Sequence, residues 1–181
     1  VDRRRSGGSR CGTPRGHRLS SARRGGALGE VLELLTCPVC SDGLAFAGTG
    51  ALACARSHTF DIARQGYVSL LDGRSTRLRS DTAPMVAARH RVHQAGVFAP
   101  VVSALATVLG DALGTPGSRS NPLIVDAGAG TGDYLAAALD RIPTARGLGI
   151  DLSKYCARSI VRSHDRAAAV VADIWRRIPI A

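Results

Sequence analysis

Residues 37–58 read CPVCSDGLAFAGTGALACARSH, and four side chains in this stretch are of metal-ligand type: Cys37, Cys40, Cys54 and His58. Their spacing is C-x2-C-x13-C-x3-H. Two tight turns, each presenting a pair of ligands across a short hairpin, close a tetrahedron around zinc. Cysteine binds as thiolate and histidine as neutral imidazole, so a Cys3His set fills every position and leaves none for chemistry. The zinc expected here is therefore structural. A redox pair of Cys37 and Cys40 would want a thioredoxin-like strand before it and a helix after it. Neither is readable, and that reading leaves Cys54 and His58 without a role. The other two of the five cysteines, Cys11 and Cys156, stand alone. An odd count with metal-bound thiolates fits a reducing compartment better than a disulfide framework. His90, His93 and His164 are read as solvated helix positions, and His17 falls in the N-terminal tail.

A second constellation begins at Asp126-Ala-Gly128-Ala-Gly130-Thr131-Gly132, which follows the apolar run LIV and opens a helical pattern. A dinucleotide site prefers G-x-G-x-x-G, with pyrophosphate on the helix N-terminus. Here the spacing is G-x-G-x-G, and an acid stands at the strand end, where it would repel a diphosphate. That acid suits a cation. S-adenosylmethionine (SAM) carries a sulfonium and an ammonium and no phosphate, and the glycines let the backbone approach its methionine part. The next strand pattern ends in Asp151, placed to accept from both ribose hydroxyls. A third ends in Asp173, placed to accept from the adenine amino group, with Ile174 beside it offering a backbone N–H and an apolar wall. A cap or turn role accounts for any one of these acids. Three at the carboxyl ends of successive strands converge on one crevice.

The elements that must position these residues follow from the periodicity. Leu44–Phe46 and Leu52–Cys54 read as short strands, with Gly48 and Gly50 at the turn between them. Residues 58–71 (HTFDIARQGYVSLL) turn at Gly66, and residues 72–81 are a polar, basic linker. A helix capped by Asp81 or Thr82 runs to Gly96. A second spans Val101–Leu113, with Val101, Val102, Leu105, Val108 and Leu109 on one face. From Leu123 the pattern is β–α–β–α–β, with Ser153 as N-cap of the second helix, and this argues for a parallel sheet with crossover helices.

Composition limits the alternatives. Hydrophobic residues make up 45% of the 181 and charged residues 21%, enough for a packed core. No apolar run approaches the ~20 residues of a membrane helix, and the first residues lack the apolar core of a secretory signal. A cytoplasmic location is the default, with no membrane partner. The net charge of +10 is concentrated in residues 1–24, which hold eight arginines and one acid, while the body is only mildly basic. Lys154 is the sole lysine, so the charge reads as arginine bias more than as a nucleic-acid footprint. Residues 1–30, rich in Gly, Ser and Arg without periodicity, are expected to be disordered, either a bland extension or a basic RNA-binding arm.

The runs CPVC…CARSHTFDIARQGYVSLL, SDTAPMVAARHRVHQAGVFAP, VDAGAGTGDY and GIDLSK together resemble the bacterial large-subunit (23S) ribosomal RNA guanine-N1 methyltransferases, a family that includes macrolide-resistance enzymes of antibiotic producers. The resemblance covers residues 36–181. It implies an α/β chain: a zinc-ribbon-like module that helps recognise an RNA hairpin, then the first half of a Rossmann-like SAM-dependent methyltransferase domain. Carried over by motif, Cys37, Cys40, Cys54 and His58 hold zinc, and Gly130 and Thr131 contact SAM. Phe98 supplies the pocket aromatic where many members have tyrosine, and His93 stands where the family often has an apolar residue. The family's sheet has seven strands, and only the first three are readable here, so the resemblance implies a chain incomplete for catalysis alone, with Leu123–Val125 as an open edge. The domain divisions expected are 1–30, 31–71, 72–81 and 82–181.

The expected reaction is in-line attack of guanine N1 on the SAM methyl group. Guanine N1 carries a proton at neutral pH, so an acceptor is required, and no residue of the sequence is assigned that part. A small-molecule methyltransferase and a non-catalytic RNA- or SAM-binding fragment remain alternatives. The oligomeric state is open, a homodimer included.

Overall fold

Strand residues 167–171 read AAAVV, apolar on both faces, as a strand covered on both sides requires. The computed structural model describes residues 26–71, 79–113, 121–176 and 178–181. In it the apolar runs after Leu123 form parallel strands β5 (Leu123–Ala127), β6 (Arg146–Asp151) and β7 (Ala167–Val171), joined by helices α4 (Asp133–Arg141) and α5 (Lys154–Ser163). Before them come helix α1 (Gly26–Val31), strands β1 (Leu44–Ala47), β2 (Ala51–Cys54), β3 (Thr59–Asp61) and β4 (Val68–Ser69), and helices α2 (Ala83–Gln94) and α3 (Ala99–Leu113). No single helix among the described residues is long and apolar enough to cross a membrane.

β1, β2 and β3 make a small antiparallel sheet. The second sheet is ordered β4-β7-β6-β5. β7, β6 and β5 form the parallel sheet that the β–α–β–α–β pattern predicts. The strand beyond β7 comes from outside that pattern: β4 pairs parallel with β7, Val68 opposite Val170 and Ser69 opposite Val171. The stretch expected to close the zinc module is thus an edge of the larger sheet. β5 forms the other edge among the described residues, with Val125 38% exposed.

Alternation along β6 and β7 sorts two cores. Leu148, Ile150, Ala168 and Val170 face α1 and the zinc module, in one cluster with Leu28, Val31, Leu35, Leu44, Leu52 and Phe60. Ala167, Ala169 and Val171 face α4 and α5, in a cluster with Leu135, Leu139 and Ile160. On β6 that second face is glycine. A Cβ at Gly147 would stand 2.7 Å from Leu139 Cδ1, and one at Gly149 2.7 Å from Ile160 Cγ2. Absence of side chains there lets the helices lie directly on the strand.

Three expectations need correction. Residues 26–30, expected within the disordered tail, belong to α1, which buries Leu28 and Val31 against the sheet; residues 1–25 lie outside the described residues. Arg146 adds a hold here, donating to the Glu30 carbonyl at 2.6 Å and pairing with Glu33 at 2.9 Å. In α3, Val101, Leu105 and Val108 point outward. Its inward side is Ala106, Leu109, Gly110 and Leu113, small enough at Ala106 and Gly110 to approach α4 closely. Periodicity marked an apolar face but not its neighbour. Finally, the histidines expected to be solvated are partnered, as described below. Of the expected linker, residues 72–78 lie outside the described residues.

Candidate metal centre and cofactor crevice

Two turns build the metal centre. In the first, the Cys37 N–H donates to Asp42 O at 2.8 Å and the Ser41 N–H to Cys37 O at 2.8 Å. In the second, Ser57 N–H donates to Cys54 O at 2.9 Å and Cys54 N–H to His58 O at 3.1 Å. Ser41 and Ser57 take left-handed backbone, with φ of 71° and 62°, which bends each turn around its ligands. The β1–β2 hairpin brings the turns face to face. Cys40 Sγ lies 3.6 Å from Cys54 Sγ, and His58 Nδ1 lies 3.6 Å from Cys37 Sγ and 3.3 Å from Cys54 Sγ. All four ligand atoms fall within 4.8 Å of one another. A tetrahedral zinc with ligands at about 2.0–2.3 Å has ligand–ligand edges of roughly 3.5–3.8 Å, so the residues present fit the ion. Cys37 and Cys54 are buried and Cys40 and His58 partly exposed. The closed Cys3His set is that of a structural zinc site.

The second site lies where the parallel strands end. A crevice of about 260 Å³ is lined by Arg79, Gly128, Asp151, Leu152, Ala172, Asp173, Ile174 and Trp175. Position explains it: Asp151 closes β6 and Asp173 follows β7, so both carboxylates stand on the same rim of the sheet. The Asp151 carboxylate accepts from the Gly130 N–H at 3.0 Å and from the Ser153 N–H at 2.8 Å. Asp173, 8% exposed, accepts from the Trp175 N–H at 3.1 Å. A Cβ built on Gly128 meets nothing within 4 Å, so the loop backbone is open to a ligand. Burial, and after it the charge of Asp151, raises the Asp126 carboxyl above its ordinary range. A cation placed there would offset both effects. An apolar wall, paired acids and an exposed glycine backbone are suited to a ribosyl group with a cationic tail.

Gly128, Asp151, Asp173 and Ile174 are thus brought together. Gly130 is tied to them through its bond to Asp151 but does not line the crevice, and neither does Asp126. Thr131 is buried and donates to Asp133 at 2.5 Å, lining a different groove beneath α2. Phe98 is 42% exposed at the α2–α3 turn and does not line the crevice.

Sequence reasoning missed three histidines. His90 Nε2 lies 2.7 Å from Ser159 Oγ, which donates onward to Thr131 O at 2.8 Å. The hydroxyl spends its proton on the carbonyl, so it accepts from His90, whose Nε2 carries hydrogen. His93 packs against Phe98 and edge-on against Tyr134, with Nδ1 3.8 Å from the Asp133 carboxylate. His164 Nδ1 accepts from the Arg166 N–H at 2.9 Å, and its Nε2 is 3.5 Å from Asp140. Each partner lies on another element or across a turn, and no spacing rule points to it. Ser153 caps α5 as expected, accepting from the Tyr155 N–H at 3.2 Å.

Known proteins bear on these sites. Residues 35–75 match the family Zn_ribbon_RlmA, described as RlmA, N-terminal. A Micromonospora griseorubida protein named for 23S rRNA (guanine-N(1)-) methyltransferase activity is 47% identical over 165 residues, covering 84% of this chain and 55% of that protein. The 23S rRNA (guanine(748)-N(1))-methyltransferase of Streptomyces fradiae is 42% identical over 151 residues, covering 83% of this chain and 52% of that protein. This chain spans about half the length of the curated relatives it matches. Among solved structures, the sugar N-methyltransferase KedS8 from Streptoalloteichus sp ATCC 53650 aligns with 18% identity and a TM-score of 0.40, covering 57% of this chain and 38% of that one.

Proposed function

We propose, from the premise that this chain belongs with the 23S rRNA guanine-N1 methyltransferases, that it binds SAM in the strand-end crevice and directs methyl transfer to N1 of a guanine in a 23S rRNA hairpin. The observation that carries the reading is the meeting of Asp151 and Asp173 with the open backbone of Gly128 in one crevice. SAM, when bound, supplies a methyl group on a positively charged sulfur. The chain's own residues bind and orient it. Asp151 accepts from ribose hydroxyls with the lone pairs its two backbone donors leave over. Asp173 accepts from the adenine amino group, and Ile174 gives the base an apolar wall. Asp126 faces the cationic end. None of these groups takes part in bond making; they hold methyl and nucleophile in line and exclude water. The guanine would be splayed from the hairpin to reach the methyl.

The zinc module is read as an aid to RNA recognition. Val39 on its first turn is 53% exposed, and the Arg56 side chain of the second, 68% exposed, pairs with Asp42 at 3.2 Å. An exposed apolar side chain and an exposed guanidinium on the two turns suit an unstacked base and a phosphate that would compete with Asp42. A ribosomal RNA substrate places the reaction in the cytoplasm.

Methyl transfer from labelled SAM to 23S rRNA, assayed with a chain of the relatives' full length because this one spans about half of it, tests the reading, with N1-methylguanine read as a reverse-transcription stop because the methyl blocks its pairing edge. Label in one 23S guanine and none in 16S rRNA is expected. Transfer to a small molecule with no RNA product would overturn it.

A further inference from the structure

We infer that the zinc turns also brace the cofactor crevice, so that filling of the metal site and placement of Asp173 and Ile174 are linked. After β7 the chain forms the crevice wall at Asp173 and Ile174, and residues 178–181 lie against the zinc module. The Thr36 N–H donates to Pro179 O at 3.0 Å, Leu35 pairs antiparallel with Ile180, and the Ala181 N–H donates to Leu34 O at 2.9 Å. Thr36 is the residue before ligand Cys37. Leu35 in turn accepts from the Leu44 N–H at 3.2 Å, and Thr36 bridges Gly43 just past the first turn. Residues 34–36 and the first zinc turn are therefore one hydrogen-bonded unit. Leu35 is fully buried, and Ile180 packs on the same core.

The other end of the wall is held by the same module. β4 pairs with Val170 and Val171, and the Leu70 N–H donates to Val171 O at 2.8 Å, two residues before Asp173. Both anchors of the crevice wall thus belong to residues 34–71. A module this small has little apolar area of its own, and a structural zinc supplies much of its folding free energy. Loss of the ion loosens both anchors, and the wall then has to be ordered at the moment of binding, which weakens affinity. Linkage makes the effect reciprocal: a ligand that orders the wall tightens zinc. Leu35 and Thr36 are positioning residues in this scheme. The consequence for SAM rests on the function proposed above; the mechanical link does not.

Hydrogen exchange of the zinc-loaded chain, before and after chelation with EDTA, reads the link directly. Chelation is expected to speed exchange about tenfold or more in residues 34–61, 68–71, 172–176 and 178–181, while β5, β6 and α4 stay protected. Faster exchange confined to residues 37–58 would overturn the inference, and so would simultaneous loss of protection over the whole sheet. A second arm uses Ile180→Asp, which alters no zinc ligand and no crevice residue. Zinc release from it to a chromophoric chelator is expected to be several-fold faster than from the parent; an unchanged rate sinks the link. Calorimetry with SAM on the same samples separates the two readings. SAM binding with no coupled exchange removes the brace and leaves the proposed function. Coupled exchange with no SAM binding to the zinc-loaded chain does the opposite.

Discussion

Asp151, at the end of β6, accepts a hydrogen bond from the Gly130 N–H of the loop that follows β5, at 3.0 Å. The acid read as a ribose acceptor is therefore also the clasp of the glycine loop. Its other oxygen takes the Ser153 N–H at 2.8 Å, which sets the start of α5. Asp151→Asn keeps one acceptor and turns an amide donor toward the second N–H. One N–H bond to a charged acceptor is lost, so urea unfolding should show a cost of about 1–3 kcal/mol. SAM affinity should fall with it; unchanged stability would show that the clasp is not made.

Gly128 and Gly132 both have left-handed backbone, with φ of 85° and 88°, yet their surroundings differ. A Cβ on Gly132 would lie 2.8 Å from Ser163 Oγ and 3.1 Å from Ile160 Cα, whereas one on Gly128 meets nothing within 4 Å. Gly132→Ala should cost about 2–5 kcal/mol from strain and overpacking together. Gly128→Ala should cost about 1–2 kcal/mol from strain alone but impair SAM binding more, by filling the ligand's side of the loop. Thermal unfolding and calorimetry on the two variants read both halves, and equal stability losses would contradict the packing described.

Asp126 is held above the ordinary carboxyl range by burial and by Asp151. A raised carboxyl in the folded state means that folding favours the protonated form. Stability is then highest at low pH with respect to this group, and falls as pH rises from the ordinary value of about 3.9 through the raised one. Asp126→Asn removes that penalty. Its Tm at pH 7 should match or exceed the parent's, with a flatter pH profile above about pH 4. Its SAM affinity should drop, because the cation loses a counter-charge. A lower Tm at pH 7 would contradict the assignment.

His90, Ser159 and Thr131 form a chain from α2 through α5 to the glycine loop. Ser159 is 8% exposed, so Ser159→Ala strands an imidazole N–H and a carbonyl away from water, at about 1–3 kcal/mol. His90→Ala and Ser159→Ala should be non-additive, with a coupling of about 0.5–3 kcal/mol in a double-mutant cycle. Strict additivity would mean that α2 does not dock through this contact.

Cys156 lies buried on α5, and burial above all pushes its thiol up to about 12. It stays a neutral thiol at physiological pH. Iodoacetamide at pH 8 should leave it unmodified in the folded protein and alkylate it after denaturation.

What the sequence by itself determined is local. The four zinc ligands meet because each pair is separated by a turn of two or three residues and the pairs by one hairpin. The glycine loop and the strand-end acids were legible for a similar reason: a parallel β–α–β unit puts every strand's carboxyl end on one rim, whatever else surrounds it. The resemblance of residues 36–181 added a family to chemistry already readable in those spacings. What only the tertiary structure decided is who packs against whom. Val68 and Ser69 extend the zinc module into the larger sheet, Ile180 returns to Leu35, and α3 turns Val101, Leu105 and Val108 outward. His90 finds Ser159 across two helices. Periodicity reports which face of an element is apolar, not its partner, and a hydrogen bond between segments a hundred residues apart leaves no repeat in the chain. For that reason the two sites were visible one at a time in the sequence, and their connection appeared only once the chain was folded.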